Sequence, residues 1–79
     1  MENDAYKELS KQYSRRFGKI AVDKRFIMTE ELKVAMAEQI EDDISNKPHR
    51  LIGQILLEKG WMTDEQIEIV LRELHNVDD

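Results

Sequence analysis

Cysteine is absent from this sequence. That excludes a disulfide framework and any thiolate-based metal centre, and it accords with a reducing compartment. Proline occurs once and glycine three times, so few residues interrupt a helix. No apolar run approaches the roughly 20 residues that a membrane-crossing helix needs, and no membrane association is expected. The opening stretch MENDAYKELSK is charged where a signal peptide would be apolar, so the expected location is cytoplasmic. Basic side chains are scarce after the first third. Residues 1–25 hold seven basic against four acidic residues, and residues 26–79 hold five against thirteen, which sums to the net charge of −5. An acidic body with one basic segment argues against nucleic-acid binding, which needs a broad positive face.

What remains is helical patterning on a chain of 79 residues, short enough for a single domain over 1–79. Ala5, Leu9 and Tyr13 recur every fourth residue and predict an opening helix over about 4–14, capped by Asn3 or Asp4. A second helix is predicted over about 15–24, with Phe17, Ile20, Ala21 and Val22 turned inward, followed by the apolar turn Phe26-Ile27-Met28. Thr29 is read as the cap of a third helix whose inner stripe is Leu32, Ala35, Met36, Gln39, Ile40 and Ile44. Pro48 suits the first turn of a fourth helix running to Lys59. Gly60 sits where a left-handed helix end is wanted. Thr63 and Gln66 form a capping box for a last helix with Ile67, Val70, Leu71 and Leu74 inward. The tail 75–79 is expected to fray.

Residues 18–39 and 53–74 align without a gap at an offset of 35. Gly18 matches Gly53, Ile20 matches Ile55, Lys24 matches Lys59, Glu30 matches Glu65 and Glu38 matches Glu73. Other apolar positions exchange like for like, as Phe26 with Trp61 and Leu32 with Ile67. A period of this length marks stacked supersecondary units that cannot bury their apolar faces alone. The expected fold is therefore all-α: two helix–turn–helix repeats (about 16–40 and 50–75, within units 15–45 and 48–75) packed as a compact helical bundle, plus an N-terminal helix laid across it. Gly18 and Gly53 fall inside helices, where glycine costs roughly 1 kcal/mol relative to alanine. Either another helix packs closely there or a ligand reaches the backbone.

The second copy, RLIGQILLEKGWMTDEQIEIVLREL, resembles the recurring RLGxxLVxxGxITxEQLxxALxxQ motif. That motif belongs to the N-terminal domains of type II secretion and type IV pilus assembly ATPases, the MshE N-terminal domain family. The first copy, RRFGKIAVDKRFIMTEELKVAMAEQ, is similar, and the two cover about residues 16–74. The resemblance implies tandem repeats that bind cyclic di-GMP through the motif Arg, Gly and closing Gln with apolar neighbours. By position it points to Arg16, Phe17, Gly18 and Gln39 in the first copy and to Arg50 and Gly53 in the second. The sequence departs from the motif in three places. Arg25 replaces the second Gly, Leu74 replaces the closing Gln, and Arg50 stands one residue early, which on a helix turns a side chain by about 100°.

No phosphate-binding GxxxxGK[ST] loop is present, and no nucleophile–base pairing can be argued, so no catalytic residue and no enzyme activity is expected. His49 and His75 lack metal-ligand spacing, and Glu41-Asp42-Asp43 lies in a helix and reads as a solvated face. No metal and no resident cofactor is expected. A DNA-reading helix after Thr63 or Thr29 would begin on acids, Asp64-Glu65 or Glu30-Glu31, which phosphates repel. The sequence therefore favours a non-catalytic interaction or regulatory module, linked through the resemblance to signalling, motility or secretion. Its expected partner is a protein, reached through a helical surface that includes the basic stretch Lys11–Arg25. The competing reading is a sensor of a cyclic dinucleotide. The oligomeric state stays open.

Overall fold

The computed structural model describes the backbone of residues 4–76 and the side chains of residues 12–76. The cap at Asn3, the inward stripe at Ala5 and Leu9, and the tail at 77–79 lie outside the described residues. Among the described residues four helices follow one another: α1 (Asp4–Asp23), α2 (Thr29–Ile44), α3 (Ile52–Glu58) and α4 (Asp64–Asn76). The described residues contain no strand, and the fold is all-α as expected.

Two helix boundaries differ from the sequence expectation. The opening helix and the helix over 15–24 are one continuous helix, α1. No glycine or proline falls between Asp4 and Phe17, and Tyr13, Ser14, Phe17 and Ala21 continue one inner face across the expected break at i, i+3, i+4 spacing. The Tyr13 and Phe17 rings stack at 6.0 Å between centroids. No separate N-terminal helix lies across the bundle. The helix expected from Pro48 starts instead at Ile52, and Lys47–Leu51 runs without helical structure. The backbone before α3 is fixed by side chains described below, which outweighs the first-turn preference of proline.

The duplication is visible in the backbone hydrogen bonds. At the end of α1, the amides of Lys24, Arg25 and Phe26 donate to the carbonyls of Ile20, Val22 and Ala21. At the end of α3, the amides of Lys59, Gly60 and Trp61 donate to Ile55, Leu57 and Leu56. Every partner is displaced by 35 residues. Both ends are Schellman turns, which need one residue in the left-handed region. Gly60 supplies it at φ 77°, and Arg25 adopts it at φ 65° despite its side chain. The end of α2 repeats the motif with Asn46 at φ 60°. Helix starts match as well. The Thr63 amide donates to Gln66 Oε1 at 3.1 Å while the Gln66 amide donates to Thr63 Oγ1 at 3.1 Å, completing the expected capping box. In the first copy the equivalent pair is Met28 and Glu31, with the Met28 amide on Glu31 Oε1 at 2.9 Å. The N-cap of α2 is thus Met28, one residue before Thr29.

The two units interlock rather than stack. α1 packs chiefly on α4 and α2 on α3, while α1 also contacts α3 and its own α2. Two ion pairs fasten the cross-pairing, Lys24–Glu73 at 2.8 Å and Lys59–Glu38. They are images of each other at the 35-residue offset. The core is built on Phe17, Ile52, Ile55, Leu56 and Val70, all fully buried, each contributing about 2 kcal/mol relative to exposure. The helix-interior glycines are filled by packing. A Cβ on Gly18 would stand 2.6 Å from Leu32 Cδ1, and one on Gly53 would stand 3.3 Å from Phe17 Cζ and 3.7 Å from Ile67 Cγ2.

The matched turns give opposite expectations for two substitutions. A Cβ at Gly60 meets nothing within 4 Å, so Gly60→Ala carries only the left-handed backbone penalty of about 1 kcal/mol. Arg25→Gly relieves that same penalty and is expected to stabilise by up to about 1 kcal/mol. For a domain this small, each kcal/mol moves the melting temperature by roughly 4–8 °C. Thermal melts of the two variants should move in opposite directions.

Candidate functional site

Among the described residues three polar side chains are buried, Ser14, Gln39 and Asp42, and they converge on one junction. Ser14 on α1 donates its hydroxyl to Gln39 Oε1 at 3.1 Å. Gln39 on α2 donates from Nε2 to the carbonyl of Arg50 at 2.9 Å. The Arg50 guanidinium then spreads over three acids, with Nε on Asp42 at 2.8 Å, Nη1 on Glu58 at 2.7 Å and Nη2 on Glu38 at 3.1 Å. Glu38 also receives Lys59, and Asp43 faces His49 Nδ1 at 3.2 Å. A planar, five-donor guanidinium is the group suited to bridging several carboxylates at once. The hub ties Lys47–Leu51 to α2 and sets where α3 can begin.

The electrostatics follow from these contacts. The hydrogen bond from Lys59, and then the charges of Lys59 and Arg50, hold the Glu38 carboxyl below its usual range despite partial desolvation. The hydrogen bond from Arg50 does the same for Asp42. Arg50 is held charged even more firmly than a free guanidinium, chiefly by Asp42 and then by Glu58. Tyr13 shifts upward through burial. Among the described residues no buried side-chain nitrogen or oxygen lacks a hydrogen-bond partner. No group of three or more His, Cys, Asp or Glu residues there is placed to hold a metal ion.

The six residues singled out from the sequence are distributed as follows. Phe17 and Gly18 lie inside the core of α1, and Gly53 lies inside α3 under the Phe17 ring. Gln39 and Arg50 are brought together, but by bonding to one another in the hub. Arg16 alone is on the surface, on the outward side of α1 with Gln12, Arg15 and Lys19. The basic stretch Lys11–Arg25 is thereby divided. Arg15, Arg16 and Lys19 share the outer face of α1, Lys24 is turned to Glu73, and Arg25 occupies the helix-end turn.

Of the buried polar residues of the hub, Ser14 and Asp42 escaped the sequence reading. Asp42 was expected on a solvated acidic face, and the structure buries it. Helical spacing carries the signal, since Asp42 follows Ala35 by seven residues and Gln39 by three, on one face. That face displaces another expectation. Ile40 and Ile44, placed on the inner stripe from the sequence, are 56% and 75% exposed. With Val34, 45% exposed, and the exposed Ala37, they make an apolar outer face on α2. The equivalent outer positions on α4 are Ile69, Arg72 and His75, so the same surface on the second unit is largely polar.

Compared with models of protein families, with curated proteins and with solved structures, the chain finds no match. Among the described residues no helix is long and apolar enough to cross a membrane.

The hub has a measurable pH signature. Asp42 and Glu38 are depressed below 3.8 and 4.5, their ordinary values. The folded state therefore binds fewer protons than the unfolded one in that range. Their contribution is complete above the unfolded values and disappears as pH falls through the folded ones. The melting temperature should be level between about pH 7 and pH 5 and fall below about pH 4. In Asp42→Asn it should start lower at neutral pH and fall less steeply in acid. Calorimetric melts across this range check both features, and a parallel offset at every pH would contradict the assignment.

Proposed function

We propose that this chain is a non-catalytic protein-binding module that docks its partner along the outer face of α2. The observation that carries the reading is the contrast between the two copies. At matched positions α4 presents Arg72 and His75 to solvent while α2 presents Ala37 and Ile40, extended by Ile44. The two units share the same turn hydrogen bonds at the 35-residue offset, so the apolar face is not required by the architecture. Large apolar side chains gathered on one exposed helix face of a small domain are the usual mark of an interaction site. Assignment to a signalling, motility or secretion apparatus rests on the resemblance of residues 16–74 to the secretion-ATPase N-terminal domains. The outer face of α1, with Arg15, Arg16 and Lys19, the last 3.5 Å from Asp23, is a second, basic surface.

The cyclic dinucleotide reading has less support from the geometry. Phe17, Gly18, Gly53 and Gln39 are occupied by the packing of the chain itself, and Arg50 is held by three carboxylates. Titration with cyclic di-GMP, followed on the amide resonances of Arg16–Gly18 and Arg50–Gly53, tests it directly.

The docking reading is tested by placing a photo-reactive benzoylphenylalanine at position 40 and, separately, at position 75, in the cell of origin. Covalent adducts are expected from position 40 and not from 75. Equal labelling from both positions, or none from either, overturns the reading. Ile40→Asn is expected to abolish binding while shifting stability by no more than about 0.5 kcal/mol, as for an exposed site.

A further inference from the structure

We infer that the outer face of α2 receives a basic amphipathic helix, one that sets apolar anchors against Val34, Ala37, Ile40 and Ile44 and places cations beside Glu30 and Glu41. The inference rests on the docking reading above and names the chemistry of the partner.

α2 is strongly acidic, with Glu30, Glu31, Glu38, Glu41, Asp42 and Asp43 against a single Lys33. Most of these acids are committed within the fold. Glu31 accepts the Met28 amide, Glu38 and Asp42 accept Arg50, and Asp43 faces His49. Glu30 and Glu41 remain exposed on the apolar side of the helix. The one cation there, Lys33, is itself exposed and stands 3.8 Å from Glu30, a loose i,i+3 pair of the kind worth little in water. Helical geometry places the two acids on the outward arc with Ala37 between them, about 16 Å apart along the axis. A partner helix laid in register needs apolar residues at i, i+3 or i+4 and i+7. Its cations belong about three turns apart. Like charge at those positions would face Glu30 and Glu41 and lower affinity.

A second copy of the chain does not meet this description. An isologous antiparallel pairing of α2 with itself brings the flank carrying Glu30 and Glu41 against the same flank of the other copy. That flank also carries Lys33, so the pairing sets two cations among four carboxylates and leaves a net like charge across it. The basic outer face of α1, at Arg15, Arg16 and Lys19, offers no apolar strip to fill the one on α2.

The test uses the full chain and two synthetic helical peptides of one design, with leucine at the anchor positions and either lysine or glutamate on the flanks. Sedimentation equilibrium of the chain alone comes first. The lysine peptide should move the amide resonances of residues 30–44 at micromolar concentration. The glutamate peptide should bind at least about tenfold more weakly at low salt. Glu30→Gln with Glu41→Gln should remove most of that difference, and added salt should shrink it. Equal affinity of the two peptides on α2 overturns the basic-partner inference and leaves apolar docking standing. Shifts from the lysine peptide centred on Glu65 and Glu68 of α4 overturn it as a general charge effect. Self-association abolished by Ile40→Asn overturns it in favour of a second copy. Failure of both peptides to reach α2 while the position-40 cross-link still forms overturns the inference alone; loss of the cross-link overturns the docking reading beneath it.

Discussion

Cross-pairing of the two units is the constraint on which the rest of the fold depends. α3 is seven residues long, far below the length at which an isolated helix is stable in water. It persists because both α1 and α2 pack against it. α4 in turn is held by α1, the first helix of the other unit. Neither hairpin is a packing unit by itself. The ion pairs Lys24–Glu73 and Lys59–Glu38 record this arrangement in the sequence, since each joins the end of a first helix to the second helix of the opposite unit. Two of the three aligned positions at which the copies keep the same charged residue are thereby accounted for.

Much of this was legible in the residues. The offset of 35 locates both Schellman turns, the capping pair at Thr63 and Gln66, and the glycines closed by helix packing. The same offset pairs Thr63 with Met28 and Glu31 with Gln66, and it marks Met28 rather than Thr29 as the N-cap of α2. Arg25 in place of glycine reads as an eroded motif, yet its backbone holds the glycine conformation. Substitution at a turn position reports on cost as well as geometry, and a left-handed residue other than glycine is tolerated when the surrounding bonds fix it. The continuity of α1 was hidden because periodic stripes on either side of Ser14 look alike whether or not a break separates them.

The inner face of α2 was misread for a different reason. Leu32, Ala35, Met36 and Gln39 leave two continuations at helical spacing, Ile40 with Ile44 or Asp42 with Asp43. Hydrophobicity favours the first. The structure takes the second, because Arg50 reaches Asp42 and Ser14 reaches Gln39. Burial of a carboxylate is costly unless a charge and hydrogen bonds meet it, and both donors come from outside α2. Periodicity within one segment carries no information about partners 8 or 25 positions away in the chain.

The polar hub also explains why the copies could diverge in opposite directions. At one junction Gln39 and Asp42 are satisfied only when the segment after α2 leaves through Arg50; at the other, Leu74 stands in the place of Gln39 and packs against the apolar core. A symmetric pair of hairpins has competing registers in which either unit could take either role. A buried polar cluster that is satisfied in one register alone removes that degeneracy, at some expense in apolar burial. The expense falls on α2, whose buried residues are Ala35, Gln39 and Asp42, one small and two polar. Its large apolar side chains Val34, Ile40 and Ile44 are left on the other side, while α4 buries Val70 and faces solvent with Arg72 and His75. The apolar outer face of α2 and the polar interior of α2 are thus two aspects of one arrangement: specificity of the fold is carried inside, and the large apolar side chains of the helix are left facing solvent.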